Sequence, residues 1–511
     1  MDIQVTNKVI GTTESLFDDF DERPVDCDFV LPDYLPDIAA VLKCTMKPVV
    51  QSKQFSGDRL IADGVTNIRV LYLDEARKCA RSCEFTQPFT STFNVKNAGV
   101  GACIRLDAKP NYVNCRATSP RRLDIHGAFS VKLKVTAEGG QEVVSAAKGD
   151  GVYTRTKPLY FTVPASSAEK PFTISEVLEL GPGKLPAETL IRSEAVANVQ
   201  DCKTMPGKVI LKGEVLLCTL YANDTVAGTM DRVEHEIPFS QIIDVDGLDE
   251  EWFCDCRADV TVCDVHITQN PNGENVLLSV SIKVQAQVQC YRTGASEIIT
   301  DAYLTACPLK LDTRRIDTQQ LLGIRKDVCP VKETLELPPE GVAGIVDMWC
   351  EAVPVATRCE ENGSFIDGRL MVSMLAKDAG GVISYYERPV DFVLDFSDKC
   401  SSMTAELEVL GVEYNLNSQQ IDIRVQVGVC RFCMAADSCV AVTGMAADEN
   451  APFAKSEADQ RCALKIYFAN GGESLWEIAK SCHTSMEAVM EENGLAADVL
   501  PDDTMLLVPL C

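Results

Sequence analysis

Leu278-Ser279-Val280-Ser281-Ile282-Lys283-Val284-Gln285-Ala286-Gln287-Val288 alternates apolar and polar side chains without a break. Successive side chains of a strand point to opposite faces, so this run has one dry face and one wet face, the pattern of a half-buried antiparallel strand. The alternation occurs twice more, in Phe129-Ser130-Val131-Lys132-Leu133-Lys134-Val135 and in Ile421-Asp422-Ile423-Arg424-Val425-Gln426-Val427. Each run follows a turn-rich stretch, Thr118-Ser119-Pro120, Asn270-Pro271-Asn272-Gly273 or Asn415-Leu416-Asn417-Ser418, and so reads as the return strand of a hairpin.

Three such hairpins imply a repeat, and the rest of the chain supplies it. Gly64-Val65-Thr66-Asn67-Ile68-Arg69-Val70-Leu71-Tyr72 lines up with Gly213-Glu214-Val215-Leu216-Leu217-Cys218-Thr219-Leu220-Tyr221 and with Gly368-Arg369-Leu370-Met371-Val372-Ser373-Met374-Leu375-Ala376, the glycines lying 149 and 155 positions apart. Downstream of each comes Gln87-Pro88-Phe89, Ile237-Pro238-Phe239 or Arg388-Pro389-Val390, leading into an apolar run. A weaker match opens each copy: Leu31-Pro32-Asp33-Tyr34-Leu35-Pro36-Asp37-Ile38 corresponds in position to Leu178 through Pro186 and to Leu335 through Glu340. This period is far longer than the roughly 20 to 50 residues of solenoid repeats, so each copy can bury a core of its own. The expected fold is mainly β: three tandem antiparallel β-sandwich or barrel-like units over 1–155, 156–310 and 311–447, a linker over 448–462, and a small terminal α+β domain over 463–511.

Composition is that of globular material, 46% hydrophobic and 24% charged over 511 residues. With 75 acidic and 48 basic side chains the formal charge is -27, which repels polyphosphates and anionic lipid and argues against nucleic acid as a partner. Met1-Asp2-Ile3-Gln4-Val5-Thr6-Asn7-Lys8 lacks the basic and apolar regions of a secretory signal, and no apolar run approaches the roughly 18 residues of a membrane-spanning helix. A cytoplasmic location without membrane insertion is expected. The 23 cysteines fall mostly inside apolar strand patterns, as Cys218 and Cys263 do, and read chiefly as reduced, small hydrophobes.

Near the C-terminus the period changes. Ser474 stands three residues before Glu477, and Thr484 three before Glu487, two capping-box spacings. Leu475, Ile478 and Ala479, then Met486, Val489 and Met490, recur at helical spacing, and Asn493-Gly494 supplies a stop. By themselves these features describe any small helical hairpin between strands. The ordered set Gly472-Glu473-Ser474-Leu475-Trp476-Glu477-Ile478-Ala479, Asn493-Gly494-Leu495 and Val508-Pro509 is more specific, and it resembles a LysM module. The resemblance implies a βααβ fold that binds N-acetylglucosamine polymers or, in some cases, proteins, and does no chemistry. It places the binding groove between Gly472, Glu473, Ser474 and Leu475 on one side and Asn493, Gly494, Leu495, Ala496, Ala497 and Asp498, with Pro501 and Asp502 beyond, on the other. Where LysM modules usually read Pro-Gly-Gln, this chain reads Pro501-Asp502-Asp503. Added carboxylates weaken the sugar reading and suit a protein partner bearing basic residues.

Leu35-Pro36-Asp37-Ile38 with Val41-Leu42, the order glycine, strand, Pro-Phe, and the alternating closing hairpin resemble the SPOCS domain of spore-coat proteins from endospore-forming bacteria. Three such units before a LysM module resemble the SipL-like spore morphogenesis proteins. The resemblance implies a coat-assembly factor at the forespore surface, inside the mother-cell cytoplasm, whose LysM module docks on a coat morphogenetic ATPase. The second and third copies depart from the Pro-Asp-Ile pattern, which restricts whatever that loop does to the first.

Chemistry finds little purchase. The four histidines, at 126, 235, 266 and 483, are dispersed, and neither His-Glu-x-x-His nor Gly-x-Ser-x-Gly occurs. Gly181-Pro182-Gly183-Lys184 lacks the first glycine of a phosphate loop and has Leu185 where a hydroxyl should hold magnesium. Cys430-Arg431-Phe432-Cys433 with Cys439 has zinc-like or redox-like spacing, but it ends an alternating strand and has no matching second pair, so buried strand residues are the stronger reading. Asp244 through Glu251 is rich in carboxylates without an EF-hand spacing and reads as a solvated turn, the only foothold for a hydrolase site. A non-enzymatic adaptor without cofactor is expected, with a glycan-binding protein as the alternative.

Overall fold

The computed structural model describes residues 3–96, 101–338, 341–417, 420–454 and 462–509. Pro339, Glu340, Ser418 and residues 455–461 of the expected linker lie outside them. The first unit contains β1 (Gln4–Val30), β2 (Ile38–Ser56), β3 (Arg59–Asp74), β4 (Ala80–Asn94), β5 (Cys103–Ser119) and β6 (Arg122–Lys148). The second repeats them as β7 (Val152–Glu179), β8 (Thr189–Met205), β9 (Lys208–Asp224), β10 (Thr229–Asp244), β11 (Phe253–Thr268) and β12 (Leu277–Leu304). The third does so as β13 (Leu309–Glu336), β14 (Gly344–Glu360), β15 (Gly363–Lys377), β16 (Ile383–Phe396), β17 (Ser402–Leu416) and β18 (Gln420–Ala447).

In every unit the second, third and fourth strands form an antiparallel meander, and the first and fifth flank the sixth in a second antiparallel sheet. The two sheets share one apolar core. In the second unit Val209, Leu211 and Val215 of β9 meet Leu278, Ile282 and Val284 of β12. The dry face of the opening run, Leu278 through Val288 by twos, is 2% exposed or less at every position. Burial of each such side chain is worth about 1.5–3 kcal/mol.

The repeated glycine has a steric cause. Gly64 pairs with Phe89, Gly213 with Phe239 and Gly368 with Phe392 on the neighbouring strand. Each ring lies across its glycine, so that an added Cβ would meet the ring at 2.5, 2.7 and 2.3 Å. The ring covers backbone that a side chain would otherwise shield. In the third unit the aromatic position is Phe392, and Pro389 pairs with Met371. The Pro389-Val390 alignment drawn from sequence is therefore displaced along the strand. Tyr72 and Tyr221, eight residues beyond their glycines, donate hydrogen bonds to Pro36 O and Leu185 O, tying down the opening loops. In the first unit Arg121 also reaches Leu31 O, Pro32 O, Leu35 O and Asp37 Oδ1, so the Pro-Asp-Ile loop is held as a structural plug.

The first and sixth strands of each unit run to 27 or 28 residues, several times the usual strand length. One half of each long hairpin belongs to its own sandwich, and the other half packs against the two sister hairpins. Ile10 and Val143, Leu159 and Ile298, and Ile316 and Ala441 form one shared cluster, each 0% exposed. Val144, Ile299 and Val442 form the next layer. Each hairpin bends between its two roles at a β-bulge, with Leu16, Ala165 and Leu322 as the extra residues. A second bulge in each makes Ser145, Thr300 and Thr443 the unpaired residues, and their hydroxyls donate to Thr6 O, Arg155 O and Asp312 O. Two bulges recur at matching positions in all three units.

At the opposite end the meanders meet through Leu71, Leu220, Leu375 and Ile191. Between these apolar ends the units contact one another through charges. Arg192 and Arg232 of the second unit hold the fully buried Asp347 of the third at 2.9 and 3.3 Å, with Arg192 stacked over Trp349. Arg105 of the first unit and Arg257 of the second both pair with Glu406 of the third. Water reaches Glu408 in this crevice, yet burial and then the Asp259 carboxylate push its acid up to about 7, against the pull of Lys47 and Lys326.

Two outcomes follow from this packing. In Gly213→Ala the new methyl would sit 2.1 Å from Asn198 O, and chemical denaturation is expected to show a loss of about 1–3 kcal/mol. A carboxyl whose folded pKa lies above its unfolded value binds a proton in the fold that the unfolded chain releases, so stability falls as pH rises from the ordinary carboxylate range through about 7. Glu408→Gln removes that penalty, reduced by the water that reaches the group: its melting temperature should exceed that of the parent at pH 8, by about 1–2 °C, and match it near pH 5. An equal gain at both pH values would refute this assignment.

Candidate functional site

The C-terminal module is β19 (Leu464–Ala469), α1 (Leu475–Ser481), α2 (Met486–Asn493) and β20 (Thr504–Pro509), the two strands antiparallel and the two helices between them. Leu475, Ile478, Ala479, Val489, Leu506 and Val508 are 2% exposed or less and make the core. The helical spacing therefore found the correct faces. The caps differ from expectation. Ser474 stands at the N-cap of α1 but makes no capping bond. Asp498 from the other loop takes that role, with one oxygen accepting from Trp476 N at 3.1 Å and from Ser474 Oγ at 2.8 Å. A full carboxylate at a helix start is a stronger acceptor than a hydroxyl. The N-cap of α2 is Ser485, which accepts from Ala488 N at 3.0 Å, so the second box is shifted by one residue from Thr484. Gly494, with φ of 64°, closes α2 in the left-handed conformation.

The residues expected to line the groove separate into two groups. Gly472, Glu473, Ser474 and Leu475 come together with Asp498 and the residues after it: Gly472 N donates to Leu500 O, Leu475 N to Asp498 O, and Leu500 N to Glu473 O. These bonds zip the two loops into a short antiparallel bridge at Ser474 and Val499. Leu475 is wholly buried. Asn493 stitches α2 to β20, giving its amide to Val489 O and Leu507 O and accepting from Leu507 N. Leu495 packs on the module core, and Gly494 is the helix stop. Gly472, Ala496, Ala497, Pro501 and Asp502 remain exposed around the bridge.

One face of the module is seated on the long hairpin of the second unit, a contact that sequence reasoning missed. Asp301 of β12 accepts from the Trp476 indole at 2.7 Å and from Lys480 Nζ at 2.7 and 2.9 Å. Tyr303 packs edge-on against Trp476, stacks on Tyr153, and donates its hydroxyl to Thr484 O at 2.8 Å. Burial pushes the Tyr303 phenol well above its ordinary pKa. Arg155 of β7 reaches Asp498 at 3.0 Å, and His483 stacks on Phe453. Trp476 is left 5% exposed. The cradle breaks the repeat. By register, Tyr153, Arg155, Asp301 and Tyr303 correspond to Gln4, Thr6, Ala146 and Lys148 in the first unit and to Lys310, Asp312, Gly444 and Ala446 in the third. Comparison of the copies at hairpin-end positions, together with Trp476 and Lys480 at helical spacing, is the signal that carries this contact.

The structure does not gather Cys430, Cys433 and Cys439. Residues three apart on a strand face opposite ways. Cys430 lies beside Asp255, Cys433 beside Cys400, and Cys439 against the shared hairpin cluster. Among the described residues no group of three or more His, Cys, Asp or Glu side chains is arranged to hold a metal ion. Lys184 of the glycine-rich turn pairs with Asp231 at 2.5 Å. The acidic loop after Asp244 is pinned by buried Val245 and Leu248, which exchange backbone bonds with Gly207.

Asp301→Ala should remove two charge-assisted contacts, each worth about 1.5–3 kcal/mol, and free the module. The expected result is a red shift of tryptophan emission and faster proteolytic release of a C-terminal fragment. Unchanged emission and cleavage would show that the cradle does not hold the module.

The family model for the SipL SPOCS domain matches residues 37–118 and 186–269, which span the meander and fifth strand of the first and second units, and the LysM domain model matches residues 471–509. Both families are non-catalytic binding domains. No curated protein and no solved structure matches the chain. No helix among the described residues is long and apolar enough to cross a membrane. The chain therefore carries SPOCS-domain segments in its first two β units and a C-terminal LysM domain seated on the second, a combination that matches SipL-like proteins and supports a sporulation-related protein.

Proposed function

We propose that the protein is a non-enzymatic adaptor of endospore coat assembly. In this reading the three β units form a single body that makes assembly contacts, residues around 448–462 tether the LysM module over 463–511, and the module docks on a coat morphogenetic protein, an ATPase, at the forespore surface in the mother-cell cytoplasm. The observation that carries the reading is the cradle unique to the second unit, which gives a threefold body one module in one orientation.

The state of the groove favours a protein partner over a sugar. The backbone groups of Gly472, Glu473, Leu475, Asp498 and Leu500 are already bonded to one another, and Asp498 also serves Ser474, Trp476 and Arg155. Residues 463–511 carry eight acidic and two basic side chains, and an acidic surface is complementary to a partner with exposed Lys or Arg. Glycan binding by Gly472, Ala496, Ala497 and Pro501 is the alternative.

A fluorescent fusion of the full chain is expected to collect at the forespore in sporulating cells, and the same fusion lacking residues 463–511 to disperse. Equal localisation would defeat the docking role. Saturable binding of N-acetylglucosamine oligomers by the full chain, at concentrations that also displace the partner, would shift the assignment to glycan recognition.

A further inference from the structure

We propose that each β unit carries a cysteine pair that is oxidised to a disulfide stapling its two sheets together at one seam: Cys44 with Cys115, Cys202 with Cys256, and Cys359 with Cys400. In every unit the first meander strand (β2, β8 or β14) lies against the fifth strand (β5, β11 or β17) without strand pairing between them, because the two belong to different sheets. Side-chain packing is what closes the sandwich there, and a covalent bridge across it constrains the unit more than one between strands already paired.

The three pairs stand at different stages of approach. Cys202 of β8 and Cys256 of β11 are bonded, with their Cα atoms 6.7 Å apart. Cys359 stands near the end of β14 and Cys400 in the loop two residues before β17, their sulfurs 3.3 Å apart, so closure to the bonded distance of about 2.05 Å needs little more than a side-chain rotation. Cys44 of β2 and Cys115 of β5 are neighbours across the seam, close enough for each to shift the other's pKa. The pairs do not occupy matching positions of the repeat: Cys44 stands opposite Val70 in its meander, whereas Cys202 and Cys359 stand opposite Leu211 and Ser364, toward the other end of their strands. Copying one ancestral unit would have reproduced one position. The same pairing across the same seam from different positions is a property of the seam.

Access agrees with the geometry. Cys115, Cys202, Cys359 and Cys400 are only half-buried. The neighbouring Cys44 thiol holds the Cys115 thiol below its ordinary pKa, which favours Cys115 as the attacking thiolate. Burial pushes Cys400 up to about 11, the range it gives Cys79 and Cys350, so closeness and not acidity singles out the Cys359 and Cys400 pair. With a small-molecule disulfide as oxidant, the Cys115 thiolate attacks one of its sulfurs and expels one thiol. Cys44, giving up its proton, then attacks the Cys115 sulfur and expels the second. The two cysteines lose two electrons and two protons in all, and the oxidant is reduced to two thiols. On the adaptor reading, assembly would take place with seams reduced and be locked once oxidant reaches the coat; the chemistry itself does not depend on that reading.

The test is peptide mapping by mass spectrometry of the full chain, reduced and then treated with oxidised glutathione, with free thiols alkylated before digestion. Linked peptides joining Cys44 to Cys115, Cys202 to Cys256 and Cys359 to Cys400 are expected, together with a rise in melting temperature of at least about 3 °C over the reduced protein. Two competitors lie close by, Cys254 with Cys290 within one sheet at 2.7 Å and Cys400 of the loop before β17 with Cys433 of β18. Links through these in place of the cross-sheet pairs, or seam thiols that remain fully alkylated, would overturn the proposal. A variant combining Cys115→Ala, Cys202→Ala and Cys359→Ala should lose the redox-dependent shift, and a shift that persists would also overturn it. Should that variant fail to fold, the map of the parent chain decides alone. Failure of the localisation experiment would leave the mapped bridges standing.

Discussion

The structure turns on the contact among three hairpin ends that are far apart in sequence. Ile10, Leu159 and Ile316 meet with Val143, Ile298 and Ala441 in a cluster from which water is excluded. No one hairpin could bury these side chains by itself, since a two-stranded ribbon has no second layer to cover it. The three units are therefore dependent on one another at this end while keeping separate sandwich cores at the other, which makes a linear repeat into a closed body. Charges between the apolar ends then select the neighbours. Asp347, wholly buried between Arg192 and Arg232, favours the second and third units side by side, because a carboxylate there without its arginines would cost several kcal/mol.

Closure of the body is what makes asymmetry useful. The bulges at Ser145, Thr300 and Thr443 bring equivalent residues to equivalent places, so three similar hairpin ends are presented. Only the second has exchanged its residues for Tyr153, Arg155, Asp301 and Tyr303, and only it receives the LysM module. The buried Trp476 reflects this arrangement. Its indole meets Asp301 and Tyr303 on a strand some 175 residues earlier in the chain.

Much of the β body was legible because it rests on local period. Leu278 through Val288 alternates since one side of its strand faces Val209 and Leu211 and the other faces water. Gly64, Gly213 and Gly368 were visible as a repeat, although their reason, an aromatic ring lying across the strand, was not; for the third copy the ring belongs to Phe392, two residues past the valine that alignment paired with it. In the terminal module the helix faces and the Gly494 stop follow from spacing. The N-cap of α1 does not, because Asp498 is brought to Trp476 N by a loop crossing that no local pattern encodes.

The sequence by itself determined the strand-rich class, the threefold repeat, the terminal helical module and the families they resemble. Each is a matter of which side chains recur at period 2, at period 3.6, or at the length of one unit. Tertiary structure alone decided that the units close on one another, that the LysM module sits on the second, that Cys430, Cys433 and Cys439 go three separate ways, and that cysteines distant in sequence become neighbours in each unit. Those outcomes depend on contacts between residues tens to hundreds of positions apart, where the pairing is set by bulges, register and buried charge instead of by neighbours along the chain.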